Sequence, residues 1–182
     1  MHIRGKLLER SVLVIDEDVY LARLIGSILE SFEVGKVVII HDFESAVEYL
    51  NVDKFDCIIT DWLTESLKGL DLVAHIRHSK KSKNNQLPIV LCTGMTGYEQ
   101  IISAMDAGVT EILAKPVVPN QLLKKLMSAF YDQREFISAD DYTGPDRRRR
   151  SMPFRGHDRR GKYGLDQASI DSVMSENHHG AS

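Results

Sequence analysis

Groups able to do phosphoryl chemistry recur in this chain at the ends of short apolar runs. Asp16-Glu17-Asp18 follows one run, Asp61 follows FDCIIT, Thr93-Gly94 follows PIVLC, and Lys115-Pro116 follows EILA. Several carboxylates brought together repel one another, and a divalent cation among them makes the arrangement favourable. Mg²⁺ is the natural candidate, being hard, oxygen-seeking and able to bridge to phosphate oxygens. A hydroxyl at Thr93 and an ammonium at Lys115 would bind the remaining oxygens of a phosphoryl group in transfer, which is catalysis by positioning and charge stabilisation. The expected nucleophile is the carboxylate of Asp61, which is ionised at neutral pH and needs no general base.

Such residues act together only if the fold gathers them, and the apolar pattern specifies a fold that does. Five Val- and Ile-rich runs, Val12–Ile15, Val37–Ile40, Cys57–Thr60, Ile89–Cys92 and Ile112–Ala114, are near-continuously apolar. That is the pattern of parallel strands covered on both faces. Between and after them lie amphipathic stretches of helical length: Val19–Ser31, Phe43–Leu50, Leu70–His78, Tyr98–Ala107 and Asn120–Tyr131, the last opening just after Pro116 and Pro119. Five alternations of strand and helix predict an open, doubly wound α/β sheet, with ligands beyond the carboxyl ends of the strands. The candidate residues sit at those ends.

Composition sets the outer bounds. A chain of 182 residues with 43% hydrophobic content accommodates one domain and an appendage. Its first residues, MHIRGKLLERS, are too charged for a signal peptide or membrane span, so no membrane insertion and a cytoplasmic location are expected. Cys57 and Cys92 each lie inside an apolar run and read as core thiols; neighbouring strands would leave a disulfide open. The net charge of −3 conceals an asymmetry: Gly144 to Lys162 carries eight Lys/Arg against two Asp/Glu, and the remainder 15 against 24. An acidic body with a basic tail selects different partners at each end.

Through VLVIDED, FDCIITDW with Gly69 beyond it, PIVLCTG, and AGVTEILAKP, the chain resembles the receiver domain of bacterial response regulators from about Arg10 to Tyr131. Each element alone is an ordinary strand end; the ordered set is specific. The resemblance implies a flavodoxin-like five-stranded parallel sheet of order 2-1-3-4-5. It also implies residue roles: Asp61 as phosphoacceptor, Asp16 and Glu17 as the acidic pair holding Mg²⁺ with Asp61 and the backbone carbonyl of Leu63, Thr93 as switch hydroxyl, and Lys115 as the phosphate-binding lysine. The implied partners are a histidine kinase or phosphotransfer protein and a downstream protein target. The implied behaviour is that of a switch, at most self-phosphorylating and autodephosphorylating, rather than an enzyme with turnover. Three departures stand out: Glu17 is one methylene longer than the usual second aspartate, the loop WLTESLKG lacks the proline often found there, and Ile112 takes the place of an aromatic switch residue.

Two rival readings come from other classes. Asp16-Glu17-Asp18 supplies the D-x-D of a haloacid-dehalogenase-type phosphohydrolase, although the later acidic pair such enzymes need is replaced by Thr93-Gly94-Met95-Thr96. Alternatively the protein is a binding module acting through its tail. Tyr142-Thr-Gly-Pro-Asp-Arg-Arg and Phe154-Arg-Gly-His-Asp-Arg-Arg share an aromatic-x-Gly-x-Asp-Arg-Arg repeat. Such a tail suits nucleic acid, an acidic partner or the acidic body of a second copy in a homodimer. The expected division is a receiver domain over 10–135 and an arginine-rich, mostly irregular tail over 136–182. His75 and His78, three apart on one helical face, read as solvated residues rather than metal ligands.

Overall fold

The computed structural model describes residues 7–61, 69–78, 84–94, 97–139 and 142–147. Five strands, β1 (Ser11–Ile15), β2 (Lys36–Ile40), β3 (Cys57–Asp61), β4 (Ile89–Thr93) and β5 (Glu111–Ala114), alternate with five helices. The helices are α1 (Val19–Ser31), α2 (Phe43–Val52), α3 (Gly69–His78), α4 (Tyr98–Asp106) and α5 (Pro119–Phe130). The strands form one parallel sheet of order β2-β1-β3-β4-β5, the expected doubly wound arrangement.

Burial explains the unbroken apolarity of the strand sequences. Val12, Leu13, Val14 and Ile15 are fully buried in β1, and all five residues of β4 are buried, because helices cover both faces. Each such side chain removed from water contributes about 1.5–3 kcal/mol before the entropy of ordering it is counted. Helix α1 turns Ala22, Ile25, Gly26, Ile28 and Leu29 inward. Its first turn is closed by the Asp18 carboxylate, which accepts from the backbone N–H groups of Tyr20 and Leu21 at 2.9 and 3.1 Å. The helix is left through Glu33, whose φ of 62° lies in the left-handed region. Helix α5 takes Pro119 into its first turn, where a missing N–H costs nothing.

Cys57 and Cys92 are the core thiols expected of their apolar runs, without the disulfide that neighbouring strands had left open. The strands bearing the cysteines are neighbours, but Cys92 stands opposite Asp61, placing Cys57 at the far end of its strand. Both are free, buried thiols; burial raises them, Cys92 to about 12, and no disulfide joins them. Residues 136–145, counted with the tail on composition, pair as antiparallel strands β6 (Phe136–Ala139) and β7 (Tyr142–Pro145). They belong to the compact unit Met1–Pro145. A second unit runs Asp146–Ser182, of which residues 146 and 147 are described. Among the described residues no helix is long and apolar enough to cross a membrane.

The hairpin lies against the amino ends of β4 and β5. There the guanidinium of Arg77, 3% exposed, donates from Nε and Nη2 to the Gly108 carbonyl at 3.0 and 2.9 Å. Its Nη1 donates to the carbonyls of Asn85 and Leu87, both at 2.8 Å. Burial lowers Arg77 to about 10, still far above neutrality, and its guanidinium carbon sits 5.4 Å from the centre of the Phe136 ring. Gly108, at φ 93°, leaves no room for a Cβ beside the Thr143 carbonyl.

Candidate functional site

Strand order reverses on either side of β1 and β3, and a doubly wound sheet opens its crevice at the carboxyl end of such a point. Asp16 is the residue after β1 and Asp61 is the last residue of β3, so the reversal places both acids at the mouth of that crevice. Lys115 follows β5 and reaches across β4 to join them: its Nζ donates to Asp61 Oδ2 at 2.9 Å and to Asp16 Oδ2 at 3.5 Å. The Lys115–Pro116 peptide is cis, and the Lys115 N–H donates to the Thr93 carbonyl at 2.8 Å, tying the end of β5 to that of β4. Thr93, the last residue of β4, is 2% exposed.

The electrostatics come from this packing. Burial is the largest influence on Asp16 and holds its carboxyl above the usual range, and the charge of Asp61 adds to it. The Asp18 N–H at 2.9 Å and the Lys115 ammonium act in the opposite direction without reversing it. For Lys115, burial alone would lower the ammonium, but its hydrogen bond to Asp61 and the charges of Asp16 and Asp61 outweigh burial and raise it. The ammonium therefore stays protonated at neutral pH and bridges two carboxylates that would otherwise repel.

Of the residues singled out by type and spacing, Asp16, Asp61, Thr93 and Lys115 are thus assembled at the carboxyl ends of four adjacent strands. Glu17, half-exposed, comes directly after Asp16 on the same turn. Asp18 is committed to capping α1, which removes it from the acidic set and leaves the D-x-D rival without its second acid. Ile112 lies buried in β5. His75 and His78 are exposed on α3, with His75 edge-on to Phe43 at 5.9 Å. Leu63, with the rest of the loop 62–68, and Met95 lie outside the described residues, as do Phe154 and the tail from 148 onward.

The donor set suits Mg²⁺. That ion is usually held by one or two carboxylates, with water and phosphate oxygens completing its shell, so a dedicated cage of three protein ligands is not required. None forms among the described residues. Asp16 and Asp61, close enough to share one ammonium and partly withdrawn from water, supply two hard oxygens on one side of an open crevice.

One residue at the site carries no mark in the sequence pattern. The Nδ1 of His41, the residue after β2, lies 2.8 Å from the Asp16 carbonyl oxygen. The signal that could have found it is topological: in a sheet of order 2-1-3-4-5, the residue after the second strand lies beside the residue after the first.

Comparison with known proteins agrees with this geometry. Residues 12–127 match the family model described as the response regulator receiver domain. The chain is 29% identical over 119 residues to chemotaxis protein CheY-3 of Vibrio cholerae, covering 65% of this chain and 90% of that protein. It is 31% identical over 116 residues to chemotaxis protein CheY1 of Helicobacter pylori, covering 63% and 92%. Among solved structures, chemotaxis response regulator CheY4 of Vibrio cholerae superposes with a TM-score of 0.60 at 25% identity, over 66% of this chain and 98% of that one.

Proposed function

The chain belongs to the response-regulator receiver family, and from that premise we propose that it accepts a phosphoryl group on Asp61 from a histidine kinase or phosphotransfer protein and signals through phosphorylation-dependent protein contacts. The observation that carries the reading is the Lys115 ammonium shared by the Asp61 and Asp16 carboxylates at the topological switch point.

The geometry supports a role for each group. An Asp61 carboxylate oxygen attacks the phosphorus of the donor in line; the new O–P bond forms as the donor's P–N bond breaks, and the donor imidazole leaves with its electron pair. Lys115 begins paired with Asp61 and is placed to follow the charge onto the transferred phosphoryl oxygens. Thr93 ends the strand next to that of Asp61, and its hydroxyl would orient a second oxygen of the phosphoryl group. Asp16, Glu17, Asp61 and the Leu63 carbonyl are the groups that would hold Mg²⁺, which supplies charge neutralisation at the phosphoryl group. The test is incubation with Mg²⁺ and acetyl phosphate, read by intact mass. Wild type should gain one phosphoryl group and Asp61→Asn none; equal labelling of both removes the assignment.

The tail offers a separate binding element in this proposal. Arg147–Arg150 with Arg155, Arg159 and Arg160 suit an anionic surface: nucleic acid, an acidic protein, or the acidic body of a second copy in a homodimer. Because Tyr142–Pro145 belong to the compact unit, the informative deletion removes 146–182. Nucleic-acid binding lost with that segment should also fall steeply with salt.

A further inference from the structure

We infer that His41 is a positioning residue for the acidic pair, acting through the Asp16–Glu17 peptide; the inference rests on the phosphoacceptor reading and names a group that reading does not use.

The backbone of Asp16 is held at both polar atoms by the end of β2. Its N–H donates to the Ile40 carbonyl at 3.2 Å, and its carbonyl lies 2.8 Å from His41 Nδ1. A carbonyl only accepts, so Nδ1 must carry the proton, which settles the tautomer of a neutral His41. The ring is itself held in place. Ile40 is the last strand residue before it, and Asp42 immediately after caps α2 by accepting from the Ser45 N–H at 2.8 Å. A half-buried imidazole pinned between a strand end and a helix cap loses little freedom in making this bond.

The side-chain oxygens of Asp16 have their own partners, Oδ1 accepting from the Asp18 N–H and Oδ2 from Lys115. The carbonyl that His41 holds belongs to the peptide leading into Glu17, and the tilt of that peptide sets where the Glu17 carboxylate can reach. Glutamate carries one more rotatable bond than aspartate, so a fixed backbone matters more here than it would for a second aspartate. Partners of this outer kind typically alter metal affinity by 10- to 100-fold when removed.

The donor's position permits a sharp test. Asparagine places an N–H where histidine carries Nδ1, whereas glutamine places it one bond further, where histidine carries Nε2. Mg²⁺ binding to the full-length, unphosphorylated chain is measured by titration calorimetry, with all variants in the same buffer. His41→Ala and His41→Gln should each weaken Mg²⁺ at least about tenfold. His41→Asn should stay within about threefold of wild type, and melting temperatures without Mg²⁺ should not follow the same ranking. Equal Mg²⁺ affinity in all four proteins overturns the role, as does an Asn variant as weak as the Ala variant. Wild type that binds no Mg²⁺ and takes no label from acetyl phosphate would remove the phosphoacceptor reading itself; wild type that does both, with His41 variants unaffected, removes only His41.

Discussion

The two ends of the sheet bury charge in opposite ways. At the amino ends of β4 and β5, Arg77 is almost wholly enclosed and its donors meet the carbonyls of Asn85, Leu87 and Gly108, with Phe136 lying over the guanidinium. At the carboxyl ends, two carboxylates compete for Lys115, the Asp16 carboxyl is raised by burial, and the side chains of Asp61 and Lys115 keep 15% and 25% of their surface open. The first arrangement is complete within the chain and favours stability. The second leaves like charges close together and partly open to solvent, an electrostatic arrangement that does not favour stability.

That contrast predicts different consequences for similar substitutions. The largest effect is on chemistry: Asp61→Asn should abolish labelling by acetyl phosphate. Its unfolding free energy in urea should shift by no more than about 1 kcal/mol, because losing the pair with Lys115 is offset by relief of repulsion with Asp16. Arg77→Met reverses the pattern. It leaves the buried Leu87 and Gly108 carbonyls and the half-buried Asn85 carbonyl without their Arg77 donor and should cost about 3 kcal/mol in urea unfolding, while the folded fraction still labels. Labelling lost in proportion to something other than unfolding would mean the two ends are coupled.

Gly108→Ala probes the same end through the backbone. A positive φ and a Cβ driven against the Thr143 carbonyl should together cost about 2 kcal/mol, seen in the same unfolding assay. At the other end, Leu63 and Met95 stand two residues after Asp61 and Thr93, respectively, in sequence, and neither side chain can orient an attacking water. Replacing them with Asn and Glu should shorten the phosphorylated state about tenfold, equivalent to about 1.4 kcal/mol in the barrier, measured as decay of the labelled mass.

The smallest effect concerns Asp56, which ties the start of β1 to that of β3. Burial pushes its carboxyl up, but the Ser11 N–H and hydroxyl, both at 2.8 Å, and Arg10 at 2.9 Å outweigh burial and hold it below the usual range. A depressed carboxylate stabilises the fold above its unfolded pKa of about 3.9 and loses that contribution as pH falls through the folded value. Asp56→Asn should therefore cost under about 1 kcal/mol at pH 7, with the difference from wild type disappearing below about pH 4. A difference constant from pH 7 to pH 3 would assign the cost to geometry rather than charge.

Legibility differs between the strands and the segments that connect them. Val12–Ile15 and Ile89–Cys92 are readable because strands covered on both faces have no polar side, and the observed β4 extends that reading only by Thr93. Lys115 is readable by its place after the fifth apolar run. Arg77 is not, since a single arginine on an amphipathic helix ordinarily points to water; only the close of α3 against the Gly108 turn encloses it. The hairpin escapes for a related reason. Phe136–Pro145 mixes Gly, Pro and Asp with few aliphatic residues, and its strands form because the body of the domain offers Arg77 and Gly108 to pack against.

By itself, then, the sequence determined the alternation of five strands and five helices, the class of sheet, and the four residues that gather at the candidate site, because periodicity and residue type are local properties that survive without coordinates. Tertiary structure alone decided that Asp18 caps a helix while Asp16 faces Lys115, that Cys57 and Cys92 lie at opposite ends of paired strands, and that His41 meets the Asp16 carbonyl. Each of these depends on register and side-chain direction between segments distant in the chain, and a hydrogen bond is decided by tenths of an ångström that no spacing in a sequence encodes.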